Sequence, residues 1–400
     1  MGYVNEEGSR SAFLRLPFVR RFLDRNMEEF IPSIAVTFLL RIAAAALAVV
    51  FNILLARVLG ADGTGLYFLA LTAITIAAIF GRFGLDTLMV RHVAGGMSVN
   101  NPAEVKGIYR MGVSFALAAS AFSALVLFFS APALSALVFG KPELASALRW
   151  MSLSIVPLVF MTMHAEALKG LKRPGESIFI QFVGVPVVCI AGVYFLAPSF
   201  GVTGAALAHI VSVMVMAVAG RYLYKRATVW LNGIEPSFNV SRMIEGAIPL
   251  FSAQLMQSAM VWTPTLMLGA WGTKAEVGVF EVARRTSTVI SFVLVAVNVV
   301  IAPRFAELYR VRDMEGLAAA ARSSVKMMAL VSAPAAGLFM LAPSFVMGFF
   351  GPKFIAGATA LALLSFGQFV NVITGPVGYL LVMSDKEKAR RNNVAIALCI

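Results

Sequence analysis

Two cysteines and three histidines are all that this 400-residue chain contains of the residues that most often bind metals or form redox pairs. Cys189 and Cys399 both fall inside apolar stretches, which excludes a disulfide framework or a Cys-x-x-Cys site. His92, His164 and His209 are far apart and lack the spacing of metal ligands, so neither a metal nor a cofactor is expected. Charge is scarce: 13% of residues carry one, and 20 acids face 33 lysines and arginines. There is no Walker A loop and no Gly-x-Gly-x-x-Gly between a strand and a helix, which argues against ATP hydrolysis. The loops are too short for a soluble catalytic domain, so the chain reads as a non-enzyme. Residues 1–30 lack a small-residue cleavage site and are not read as a signal peptide. They read as an amphipathic cytoplasmic arm on an anionic leaflet, or as a disordered basic tail; both stay open.

Apolar length is what the chain has in abundance. Apolar residues make up 60% of it, in stretches near 31–56, 64–84, 108–139, 145–168, 177–197, 202–220, 244–271, 277–302, 327–350 and 355–383. Each can cross ~30 Å of hydrocarbon as a helix. An eleventh begins at Asn393. The basic residues alternate between rich and poor gaps. Rich are the N-terminal arm (Arg10 to Arg25) and the gaps holding Arg82 to Arg110, Lys169 to Arg173, Arg221 to Arg242, Arg304 to Lys326 and Lys386 to Arg391. The intervening gaps hold only Arg57, Lys141, Arg149, Lys274 and Lys353. By the positive-inside rule the N-terminus and the rich gaps are cytoplasmic. The net charge of +13 is then mostly a topology signal and implies no nucleic-acid partner.

Arg41, Arg284 and Arg285 stand inside predicted spans. Charge at membrane depth is costly and usually faces a cavity, a partner or a pathway.

The chain also repeats. LGADGTGLYFLA at 59–70 is answered by LGAWGTKAEVGVFEVA at 268–283. Gly65 precedes Arg91 by the same 26 residues that separate Gly278 from Arg304, and Phe139-Gly140 and Phe350-Gly351 mark corresponding helix ends. Spans 1 and 2 thus correspond to spans 7 and 8. The offset of six keeps both halves in one orientation, a parallel repeat of the kind transporters use. The expected fold is an all-α integral membrane protein with two pseudo-symmetric six-helix lobes around a central cleft. Its parts are an arm (1–30), an N-terminal lobe (31–220), a cytoplasmic linker (221–243) and a C-terminal lobe (244–400). Six-fold counting leaves the second lobe incomplete at residue 400, so about two further helices are expected beyond it.

These features resemble the multidrug/oligosaccharidyl-lipid/polysaccharide exporter superfamily. The resemblance rests on the duplicated Leu-Gly followed by Gly-x-aromatic, on Ala56 to Gly60, on Ala283 to Arg285, on Ala302-Pro303-Arg304, and on Pro334 and Pro343. It covers about residues 30–391. The branch it is most similar to is the polysaccharide-biosynthesis flippases of the O-antigen, or lipopolysaccharide, type. That implies translocation of an undecaprenyl-diphosphate-linked oligosaccharide across the bacterial cytoplasmic membrane. The implied partners are that lipid, the bilayer and a glycan polymerase. The sister branch, the lipid II flippase, has a cavity arginine at the place of Arg284, but its span-1 arginines would fall at Ala45 and Phe51 here. Lipid II transport is therefore the alternative, and a non-transport scaffold for glycan-assembly enzymes is another. Span 1 has no acid, which argues against cation-drug antiport.

A diphosphate crossing between headgroup regions needs a polar route, and arginine pairs phosphate bidentately while staying charged. Arg41, counted from Ile31, falls near the membrane midplane. Arg284 and Arg285 lie seven or eight residues inside span 8, with Glu281 at i−3 and i−4. Arg284 is expected to be the ligand and Arg285 the partner of Glu281. Gln254 and Gln257 on span 7 and Gln368 and Asn371 on span 10 are candidate sugar contacts, or interhelical glue. Asn52 and His209 are weaker candidates. Arg82 and Asp86 form a gate pair or a solvated surface pair, and His164 with Glu166 a proton relay or a structural pair.

Overall fold

The computed structural model describes residues 31–294 and 312–375, with single positions 297, 301, 305, 308 and 309; of 31–35 and 242 it describes the backbone alone. The arm at 1–30, Ala302-Pro303-Arg304 and the start of an eleventh span lie outside the described residues. Regular structure among the described residues is entirely helical. In chain order the helices are α1 (Ile31–Arg82), α2 (Leu85–Ser98), α3 (Pro102–Ala133), α4 (Leu144–Ser152), α5 (Ile155–Gly170), α6 (Pro174–Ile178), α7 (Val185–Ala227), α8 (Val240–Trp271), α9 (Lys274–Ser287), α10 (Met314–Leu341), α11 (Pro343–Gly348) and α12 (Ala358–Thr374).

Among the described residues five helical stretches are long and apolar enough to cross a membrane, and α4 with α5, bent by 46°, make a sixth if the pair is one span. Two of the five are too long for one crossing. Val36–Arg82 has 47 residues and would reach ~70 Å as a straight helix, over twice the hydrocarbon thickness. Gly60 resolves this: at φ 65° and ψ −175° it turns the chain back, and nothing lies within 4 Å of where its Cβ would be. Its role is purely conformational. Gly201, at φ 55°, does the same inside α7. Many large apolar side chains point outward, among them Phe129, Leu137 and Phe195, as lipid-facing surfaces require. The chain is a multi-pass membrane protein.

Gly60, Gly140, Gly201 and Gly351, all at positive φ, mark turns that contacts of Arg57 with Phe349, Lys353 with Asp62, Lys141 with Gly272 and Val202 with Gly63 bring to one end of the helices. The opposite face carries the basic connections, including Arg91, Lys106, Lys169, Lys172, Arg173 and Lys225. We call these the turn face and the basic face. Helix ends agree with the sequence. Asn101 caps α3 by accepting from the Glu104 amide ahead of Pro102, and Thr273 and Glu276 form a reciprocal capping box at the start of α9.

The segment joining the lobes is shorter than expected, because α7 runs on to Ala227 and α8 begins at Val240. It is fastened to the first lobe. Lys106 Nζ donates to the carbonyls of Leu231 (3.1 Å) and Ile234 (2.7 Å), the Ser237 amide donates to Ala103 O (3.0 Å), and Phe238 packs edge-on to His92.

Candidate functional site

Helix α1 presents Ala61, Thr64, Gly65 and Phe68 on one stripe, at the i, i+3, i+4, i+7 spacing of a single helix face. That stripe meets α9. A methyl on Gly65 would overlap the Lys274 carbonyl oxygen and lie 2.9 Å from its carbon. A methyl on Gly278 would overlap the Ala61 carbonyl oxygen and lie 2.9 Å from the Gly65 amide. Each glycine thus rests on the carbonyl four residues before the other. The two repeats meet across a local two-fold arrangement that only glycine allows.

Polar links between the lobes surround this crossing on the turn face. The Lys141 ammonium is buried and donates to Phe139 O (3.0 Å), to Gly272 O (2.8 Å) and to Gly269 O. The last two are carbonyls at the C-terminal end of α8, which has no further turn to satisfy them and attracts a cation. Burial, and then Lys274, push the Lys141 ammonium below the ordinary lysine value. Lys274 bridges to Glu143 at 2.9 Å, and Arg57 Nε donates to Phe349 O at 2.9 Å. The hydrogen bond from Lys274 holds the Glu143 carboxyl below its usual value. Lys353 stands 3.9 Å from Asp62. The turn face is closed.

Beyond this closure lies the arginine cluster. Arg284 is eleven residues from Thr273, ~16 Å along the helix. The expected division, Arg284 free and Arg285 paired, is not the observed geometry. Glu281 is fully buried and binds both: Arg284 donates through Nε and Nη2 at 2.9 Å each, a bidentate fork, and Arg285 through Nε at 3.1 Å. The Thr265 hydroxyl donates to Glu281 Oε1. The Arg285 guanidinium also sits 4.2 Å from the centre of the Phe68 ring, in the other lobe. Two guanidiniums on one carboxylate leave a net positive charge, with most of their N–H donors unused.

Arg41 lies elsewhere. It is nineteen residues from the Gly60 turn, ~28 Å deep, so it sits towards the basic face and not level with Arg284. Phe182 is also nineteen residues from its own glycine turn, at Gly201, and its ring is 5.8 Å from the Arg41 guanidinium. Arg41 forms no hydrogen bond or ion pair among the described residues, and its Nε is buried without a partner.

At the basic-face end Arg82 Nε approaches Asp86 Oδ2 at 3.6 Å, and the same oxygen accepts from Gln254 Nε2 at 3.1 Å. Gln254 therefore spans the lobes. Phe251 stacks on Phe83 at 4.6 Å beside it, and a methyl on Gly84 would lie 2.6 Å from Ala247 O. Gln257, one turn on, is exposed; Asn371 is exposed and Gln368 half-buried, and none of the three forms a side-chain hydrogen bond among the described residues. Asn52 and His209 are buried, each with one side-chain atom unpartnered.

His164 and Glu166 do not meet. His164 lies between the Tyr109 hydroxyl (2.9 Å) and Phe160 O (2.7 Å), with Arg221 donating to Tyr109 at 2.8 Å. Glu166 instead binds Lys169 and Gln181. Among the described residues no three His, Cys, Asp or Glu side chains converge as metal ligands would.

A family model described as "Polysaccharide biosynthesis protein" matches residues 31–309. The chain belongs to this family. Its fold is that of solved transporters of the multidrug/oligosaccharidyl-lipid/polysaccharide exporter superfamily. It superposes on the inward-facing conformation of a multidrug resistance MATE family transporter with a TM-score of 0.65 at 18% identity, covering 87% of each chain. A transporter of the same superfamily from Pyrococcus furiosus gives 0.64 at 16%, covering 91% of this chain and 84% of that one. An outward-facing MATE transporter gives 0.56 at 19%, covering 88% and 84%. No curated protein matches the chain.

Within this polysaccharide-biosynthesis family member, sequence reasoning missed the function of Lys141 and, for Gln254, the partner of an expected interhelical contact. Both bridge the lobes across more than a hundred residues. The one signal available for Lys141 was an isolated lysine in an otherwise charge-poor gap.

Proposed function

We propose that this protein translocates an undecaprenyl-diphosphate-linked oligosaccharide across the bacterial cytoplasmic membrane by alternating access, with the basic face cytoplasmic. The observation that carries the reading is Arg41: a guanidinium at membrane depth with no acidic partner among the described residues, in a polysaccharide-biosynthesis transporter. An unpaired charge there is costly unless an anion is its working partner. Arg284 and Arg285, ~12 Å nearer the turn face by helix arithmetic, supply a second positive station. The first would receive the diphosphate from the cytoplasmic headgroup region, and the second would hold it midway. Closure of the turn face, and the higher likeness to an inward-facing relative, support a state open to the cytoplasm. Gln257, Gln368 and Asn371, without side-chain hydrogen bonds among the described residues, are the amides available to sugar hydroxyls.

The test is replacement of the two stations. Arg41→Ala and Arg284→Ala should each abolish surface glycan while the protein stays at wild-type abundance. Normal glycan in both variants would overturn the reading. So would a loss of glycan that tracks a loss of protein, because the arginines would then be structural.

A further inference from the structure

Glu281 occupies the very N–H groups that a phosphate would use. The bidentate face of Arg284, Nε and Nη2, is taken by its two oxygens, and Arg285 adds Nε to one of them. A simple structural ion pair would set one base against one acid. Here one carboxylate, with no exposed surface, holds two arginines whose side chains are 22% and 30% exposed. The acid is inaccessible and the bases are reachable. An arriving phosphate can bind the outer donors first and then compete for the inner ones, because carboxylate and phosphate have matching fork geometry towards arginine. The carboxylate stays poised to take the arginines back, held in place from behind by the Thr265 hydroxyl.

We propose that Glu281 is the release element of this anion station. It is an internal anion that limits how tightly the diphosphate is held and reclaims Arg284 and Arg285 when the substrate moves on. A translocation site must bind strongly enough to load and weakly enough to unload. Two adjacent guanidiniums without a resident anion would meet the first requirement and fail the second. The proposal rests on Arg284 and Arg285 being diphosphate ligands, as read above.

It makes a prediction opposite in sign to a purely structural role. The full chain in nanodiscs is titrated with a long-chain polyprenyl diphosphate, with the uncharged polyprenol as control, and translocation is timed in proteoliposomes. Wild-type protein should prefer the diphosphate. Glu281→Gln keeps size and an acceptor for Thr265 but removes the competing charge. It should bind the diphosphate on the order of 10-fold tighter, the equivalent of one charge-assisted bond, while translocating more slowly. Glu281→Asp keeps the charge but is too short to reach both arginines, and should shift both readings the same way by less. It serves as the test if the Gln variant fails to accumulate. Equal or weaker diphosphate binding by the substituted proteins, with the wild-type preference intact, would overturn the release role. Absence of any wild-type preference over polyprenol would overturn the underlying reading instead.

Discussion

Adding one methyl group at Gly65 separates two effects that usually act together. Glycine inside a helix costs about 1 kcal/mol relative to alanine, so Gly65→Ala should strengthen α1 wherever the lobes stand. The packing effect exists only when the turn face is closed. The new carbon would overlap the Lys274 carbonyl oxygen and lie 2.9 Å from its carbon. Restoring a carbon–carbon contact of ~3.6 Å requires the helices to part by at least ~0.7 Å. The opposing atoms are backbone, which cannot swing aside. Overpacking of this kind costs ~1–3 kcal/mol, which moves an open–closed equilibrium by roughly 5–150-fold. The propensity gain is common to both states and cancels from that equilibrium. Thr64, on the same stripe, is wholly buried in the closed state. A cysteine placed there should react with an impermeant maleimide from the turn face 5–150-fold faster in the Gly65→Ala background, with no fall in thermal stability. Gly278→Ala should behave alike, since it meets Ala61 in the mirror arrangement. An unchanged labelling rate in a well-accumulated Gly65→Ala protein would refute the claim that this crossing is the closure.

Lys141→Met should also raise labelling of Thr64→Cys, because it leaves the Gly269 and Gly272 carbonyls without their donor; Lys141→Arg should restore much of the protection, and equal labelling in all three proteins would count against the latch. The Glu143–Lys274 bridge has a pH window. Glu143 is held below its ordinary value and Lys274 above its own. The contribution is therefore present between those values. It is lost as pH falls through the lowered Glu143 value or rises through the raised Lys274 value. Labelling that, relative to a free-thiol control at each pH, accelerates at both extremes, and does not in Glu143→Gln, is the expected profile. In the glycan assay Arg41→Lys should restore activity only in part, because an ammonium keeps the charge without the planar fork. Gln257→Ala should cost less than either arginine, since one hydrogen bond contributes only ~1 kcal/mol.

The spans were legible because membrane helices need total apolarity more than any period, and the glycines because their spacing recurs. Gly65 and Gly278 were matched from counting alone, and they prove to be contact partners. Side-chain pairing was less legible. Glu281 lies at i−3 from Arg284 and i−4 from Arg285, and sequence cannot say which rotamers win; in the structure both do. Arg41 counted from Ile31 appears central, but Gly60 is the better ruler because it marks a membrane face, whereas Ile31 is only where apolarity begins. Gln254, a sugar contact or interhelical glue by sequence, acts as glue in the structure; its partner, Asp86, was not legible because it lies 168 residues away. The π-helical turns Leu134–Val138 and Phe179–Gly184 left no trace in composition.

The strap from Leu231 to Phe238 determines where the molecule can bend. A linker held to one lobe by Lys106 and Ser237 belongs mechanically to that lobe, so the second lobe pivots from the start of α8. That helix has 32 residues, ~48 Å from pivot to tip. A tilt of about 5° at its foot would move Trp271 by ~4 Å, several times what the Gly65–Gly278 crossing must yield to part. The contact of Gly84 with Ala247, ~10 Å from the foot, would move far less. A small rotation at one edge of the protein is thus amplified into a wide opening at the other, as a long hand moves on a short spindle.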